Sequence, residues 1–150
     1  MEIWPIENLY DEAFFALIRQ LNPQMDRALF ESCLGNILKL EPNYRVVGLY
    51  DNGKLIAATG YWIGARFYSG VYLQMDNFVV DQTLRNSGIG NTLLAWIEQE
   101  AERHHCEKII LDSYVENAVS HKFYFKHGFK IAGFHFNKRT NKEASSPESA

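Results

Sequence analysis

A chain of 150 residues that is 47% hydrophobic holds enough apolar material for one buried core without disulfide or metal staples. Its net charge of -3 excludes non-specific duplex binding, which needs clustered Lys and Arg against phosphates, so nucleic acid is not an expected partner. No apolar run approaches the roughly 20 residues that span a bilayer, and the opening stretch MEIWPIENLYDEAF is acidic where a secretion signal needs cations. Cys33 and Cys106 stand apart with no CxxC spacing. The expectation is a cytoplasmic protein with no membrane partner, no bound metal and two reduced thiols.

After an N-terminal strand, residues 8–21 place Leu9, Ala13, Phe14, Leu17, Ile18 and Leu21 at helical spacing, and Asn22-Pro23 ends the pattern. Asp26 is placed to cap a second helix, RALFESCLGNILKL, which stops before Pro42. YRVVGLY and KLIAATGYW flank Asp51-Asn52-Gly53, a tight-turn signal, so residues 44–62 read as a hairpin. The strand from Val71 to Val80 alternates Val71, Leu73 and Met75 with polar residues, then moves its apolar set to Phe78 and Val80. A strand that buries one face cannot lose register freely, so this slip near Asp76-Asn77 marks either a β-bulge or a strand end buried on both faces.

RNSGIG, residues 85–90, separates that strand from a helix carrying Ile89, Leu93, Leu94, Trp96, Ile97 and Ala101. KIILDSYV reads as a buried strand, Ser120 to His127 as a short helix closed by Gly128, and FKIAGFHF as a last strand. That strand is placed either to pair across a homodimer or to lie at a sheet edge. Two α helices, a run of antiparallel strands, then helix, strand, helix and strand give an α+β fold built on a mixed sheet. A single domain is expected over residues 1–138, with a disordered tail over residues 139–150, where core-forming residues run out.

Gly88 and Gly90 remove two β-carbons where backbone amides would crowd a ligand, and the unpaired N–H groups of a helix start attract anions. The loop therefore reads as a phosphate seat or as an ordinary glycine-bearing turn. It fits neither GxxxxGK[ST] nor GxGxxG. Arg85-x-x-Gly88-x-Gly90, preceded by NFVVD and followed in order by a helix, a strand, Asn117 and FYFKHGF, resembles the Gcn5-related N-acetyltransferases, the GNAT family. The resemblance covers roughly residues 44–138.

By this resemblance the fold is a mixed central sheet flanked by helices with splayed central strands, and the ligand is acetyl-CoA. The backbone of Phe78, Val79 and Val80 would pair with the pantetheine arm. Arg85, Asn86, Ser87, Gly88, Ile89, Gly90 and Asn91 would hold the pyrophosphate, with Asn117 bonding the cofactor arm; Asn117 also suits a helix cap. Many relatives carry Gly and a basic residue where this chain has Asn86 and Ser87, so part of the positive charge expected there is missing.

Tyr124 stands where the family places its general acid. Asp76, at the suspected bulge, is the first candidate to take the amine proton, directly or through water, and Glu116 the second. An amide of Val79 or Val80 would polarise the acetyl carbonyl. Trp62, Phe67, Tyr68 and Tyr72 either line the acceptor pocket or belong to the core. The implied activity is acetyl transfer from acetyl-CoA to a primary amine by direct attack in a ternary complex. The acceptor is a small cationic molecule or a protein amine. The other reading is a non-catalytic acyl-CoA sensor or interaction module on the same fold.

Overall fold

The computed structural model describes residues 1–140, so the expected tail lies outside the described residues from position 141 on. In chain order the elements are β1 (Glu2–Pro5), α1 (Glu12–Leu21), α2 (Arg27–Leu40), β2 (Arg45–Asp51), β3 (Lys54–Arg66), β4 (Gly70–Val80), a 3-10 turn at Gln82–Leu84, α3 (Ile89–Arg103), β5 (Lys108–Ile110) and α4 (Ala118–Lys126). They fall into two compact units, one from Met1 to Ile110 and one beginning at Leu111.

The first unit is a five-stranded sheet in the order β1-β2-β3-β4-β5, antiparallel except for the parallel β4–β5 pair. Local chemistry sets its helix starts. Asp11 accepts from the Ala13 amide at the head of α1, and Asp26 accepts from the Leu29 amide at the head of α2, at 2.8 Å. Each cap satisfies a donor that the helix leaves orphaned and contributes about 1 kcal/mol. On one sheet face Val46, Leu55, Ala58 and Val79 pack with Phe14, Leu17, Ile18 and Phe30 of α1 and α2. On the other face Tyr61 meets Trp96 of α3 edge to face, with ring centroids 5.8 Å apart. Both cysteines are free and half-buried.

The slip expected in β4 is a β-bulge. Ala58 pairs with Val79 and Gly60 with Asp76, so Thr59 of β3 faces both Asn77 and Phe78. Asn77 takes φ 52°, the left-handed geometry that asparagine tolerates better than most residues. The β4–β5 ladder runs from Tyr72↔Lys108 to Gln74↔Ile110 and ends just before this bend. The β5 ladder thus covers β4 only from Tyr72 to Gln74, and Met75 to Val80 lie beyond its end. KIILDSYV accordingly contributes a strand only at Lys108–Ile110, shorter than its apolar content implies.

In the second unit α4 begins at Asn117, and Gly128 follows its end with φ 84°. The last strand expected over FKIAGFHF is absent among the described residues, where 129–136 run without ladder bonds. Its apolar positions change phase, Ile131 falling on one parity and Phe134 and Phe136 on the other, so one strand face cannot bury them together.

Candidate active site

The end of β4 and the loop after it form one continuous feature. Asp81 leaves the strand with its amide bonded to the Ile56 carbonyl at 2.8 Å. Its carboxylate accepts from the Thr83 amide and hydroxyl, and these bonds hold its pKa below the ordinary aspartate value. Arg85 is extended, Asn86 takes φ 63° and Gly88 φ 84°, after which α3 starts. Ser87 donates its hydroxyl to the Leu84 carbonyl, which closes the turn without engaging the helix.

Gly88 occupies the cap position of α3 and so supplies no side-chain acceptor to the first-turn amides. A β-carbon at Gly88 would meet nothing within 4 Å, so the position faces open space. The left-handed geometry, more than crowding by protein atoms, selects glycine there. A helix start with no side-chain cap, facing open space at Gly88, has the amide donors a pyrophosphate requires.

Phe78 and Val80 are half-buried and Val79 is buried, all beyond the end of the β4–β5 ladder. The Val80 carbonyl there accepts from the Arg85 guanidinium at 3.5 Å. Asp76 is half-buried just before the bulge, and Asn77 donates its side-chain amide to the Asp76 carboxylate at 2.9 Å. The Thr59 hydroxyl donates to the Asp76 carbonyl at 3.2 Å. Both bonds fix the residue from its own strand and from the neighbouring one.

One residue at this site was not legible as such in the sequence. Tyr44 follows α2 in a turn closed by its own amide to the Glu41 carbonyl, 3.0 Å, and its ring lies 6.1 Å from that of Trp62. Its hydroxyl reaches the side chains of Asp76 and Asn77, and burial followed by the charge of Asp76 pushes its pKa well up. A β-carbon on Gly60 would sit 2.1 Å from the Tyr44 hydroxyl oxygen. Glycine inside a strand is the signal that could have announced this close approach.

Of the aromatic residues considered for an acceptor pocket, Tyr72 is buried core, whereas Phe67 and Tyr68 are exposed at the turn between β3 and β4. Ile6, Glu7, Tyr44, Arg45 and Tyr61 border an open pocket of about 270 Å³. In the second unit Asn117 caps α4, its side chain accepting from the Ser120 amide at 3.2 Å. Tyr124, on the same helix, packs edge to face with Phe123 and Phe129, and burial pushes its phenol up to about 12. Glu116 is exposed. Among the described residues no group of three or more His, Cys, Asp or Glu is placed to hold a metal, and no helix is long and apolar enough to cross a membrane.

Comparison with known proteins bears on this arrangement. The model of the acetyltransferase (GNAT) family matches residues 3–129. The chain is 25% identical over 130 residues to the aminoalkylphosphonate N-acetyltransferase of Salmonella typhimurium, covering 85% of this chain and 83% of that one. It is 28% identical over 94 residues to the spermine/spermidine N(1)-acetyltransferase of Bacillus subtilis, covering 60% of this chain and 62% of the other. Among solved structures, AAC(6')-Iy in complex with the bisubstrate analog CoA-S-monomethyl-acetylneamine superposes with a TM-score of 0.76 at 18% identity, over 93% of this chain and 97% of that one. Glucosamine-6-phosphate N-acetyltransferase from Arabidopsis thaliana gives 0.69 at 22% identity, over 93% and 98%. The chain belongs to the GNAT family and is an acetyl-CoA-dependent N-acetyltransferase.

Proposed function

We propose that this enzyme acetylates a primary amine on a small molecule by direct attack on acetyl-CoA in a ternary complex. The observation that carries the reading is the coincidence on β4 of a strand stretch running past the end of the β5 ladder, a bulge next to Asp76, and a helix start at Gly88 with no side-chain cap. The thioester arm lies along Phe78, Val79 and Val80, and the amides from Arg85 to Asn91 bind the pyrophosphate. Asn117 bonds the arm in addition to capping its helix. An amide of Val79 or Val80 polarises the acetyl carbonyl.

The amine attacks as the free base. As the N–C bond forms, the nitrogen becomes acidic and Asp76 accepts its proton, directly or through water. The C–S bond then breaks and its electron pair leaves with sulfur. Tyr124 faces a thiol of pKa near 8.5 with a phenol near 12, so full proton transfer is uphill by roughly 3.5 units, about 5 kcal/mol. Its role is a hydrogen bond to the developing thiolate rather than complete protonation.

A small acceptor is supported by relatives named for aminoalkylphosphonate and spermidine. The experiment is a panel of an aminoalkylphosphonate, spermidine, an aminoglycoside and a lysine peptide with acetyl-CoA, following free thiol. Release with a small amine, lost in Tyr124→Phe while acetyl-CoA affinity is kept, supports the reading. Release confined to the lysine peptide would overturn the small-molecule acceptor, and full turnover in Tyr124→Phe would overturn the role of Tyr124.

A further inference from the structure

Asp76 is held by more than its own strand. Gly60 is its cross-strand partner, and the missing side chain of Gly60 leaves the space that the Tyr44 hydroxyl fills. Cross-strand partners point to the same sheet face, so the Tyr44 ring covers Gly60 and brings its hydroxyl to the carboxylate beside it. Asn77, turned into left-handed geometry by the bulge, approaches from along the strand and donates to the Asp76 carboxylate.

We propose that Tyr44 is a positioning residue for the proton acceptor: with Asn77 it forms a two-donor clamp that fixes the Asp76 carboxylate at the bulge. The inference rests on the reading of Asp76 as the group that takes the amine proton. A carboxylate on a two-bond side chain has several rotamers, and a donor from a different element removes that freedom. The tyrosine is suited to the task because it stays protonated: burial and the neighbouring carboxylate both disfavour its anion. Its ring is in turn seated by Trp62 and by the Glu41–Tyr44 turn, so the donor comes from a braced position. The clamp favours the ionised carboxylate, which is the form that can accept a proton.

The test begins without an acceptor. The Asp76 side-chain carboxyl carbon is followed by NMR across pH in the free enzyme, its resonance assigned by Asp76→Asn. Tyr44→Phe keeps the ring and removes the donor, and the Asp76 midpoint is expected to rise by roughly half a unit to one unit. Gly60→Ala, which displaces the hydroxyl without deleting it, is expected to move the midpoint in the same direction. With acetyl-CoA and whichever panel amine releases most thiol, the acid limb of kcat/KM should follow the midpoint upward, and kcat should fall about 10-fold. KM for acetyl-CoA should stay within about twofold, a split that general loosening of the fold would not produce. An Asp76 midpoint unmoved by Tyr44→Phe would overturn the clamp, whatever Asp76 itself does. Wild-type turnover in Asp76→Asn would instead overturn the reading of Asp76, and the part assigned to Tyr44 with it.

Discussion

Thr59 shares its one hydroxyl proton between the main-chain oxygens of Gly60, 3.1 Å away, and Asp76, 3.2 Å away, where one residue of β3 faces two of β4. The bond to Asp76 supplies a buried partner to a carbonyl at the bulge, where regular pairing is interrupted. Thr59 is fully buried, so removing its hydroxyl leaves that oxygen with one donor fewer in a place water cannot easily reach. Thr59→Val, close to isosteric, is expected to lower stability by about 1–2 kcal/mol in urea unfolding. An unchanged midpoint would mean that the bulge holds itself.

Gly88 offers a cleaner dissection of the loop. Its β-carbon would meet no protein atom, so Gly88→Ala should cost only the left-handed strain, about 1–2 kcal/mol, and leave the fold intact. The same methyl would project into the space proposed for the pyrophosphate. Calorimetric titration with CoA should therefore show affinity reduced at least about 10-fold, a larger effect than on thermal stability. Equal CoA binding by the two proteins would move the phosphate seat elsewhere.

The raised phenol of Tyr124 makes a statement about pH. A tyrosine pushed up to about 12 remains a donor throughout the range in which most assays run. Deprotonation of Tyr124 should thus contribute no basic limb to kcat below about pH 11. A basic limb near pH 9 in wild-type kcat that coincides with titration of the Tyr124 ring followed by NMR would contradict this.

Behind the sheet, Glu100 of α3 is nearly buried and gathers the Tyr61 hydroxyl at 3.1 Å, His104 at 3.0 Å and the Arg103 guanidinium. Burial raises its pKa, but the bonds from Arg103, Tyr61 and His104 outweigh burial and hold it below the ordinary glutamate value. A lowered carboxyl pKa contributes stability that is present above the unfolded value and lost as pH falls through the folded one. Tyr61 works in the opposite window: burial first, then the charge of Glu100, raises its phenol from 10.0 to about 12. Its contribution is complete below pH 10 and fades as pH rises toward 12. Glu100→Gln should flatten the acid side of a stability-against-pH curve, and Tyr61→Phe the alkaline side. Curves parallel to wild type would show that the network does not couple to folding.

Residue order alone determined the local elements and the loop. Asp26 before RALFESCLGNILKL specified α2 and its cap, because capping is a contact between neighbours three residues apart. The parity break at Asp76-Asn77 left a bulge or a strand end buried on both faces, because alternation has a fixed period of two, and the β3–β4 register made it a bulge. RNSGIG marked an open helix start, since the geometry lies within the six residues themselves. KIILDSYV and FKIAGFHF were read less well, because a strand exists only where a partner pairs with it, and apolar alternation does not name the partner.

What only the tertiary structure decided is which distant groups meet. Tyr44 stands 32 positions from Asp76 in the chain and appears in the sequence as one more aromatic beside a strand. Antiparallel pairing of β2, β3 and β4 places Val46, Gly60 and Asp76 in one row, and the bare Gly60 lets the phenol cross it. A sheet joins residues by register rather than by distance along the chain, and register is fixed by the whole buried face at once. For that reason the loop could be read from its letters, while the clamp on the carboxylate could be seen only in the fold.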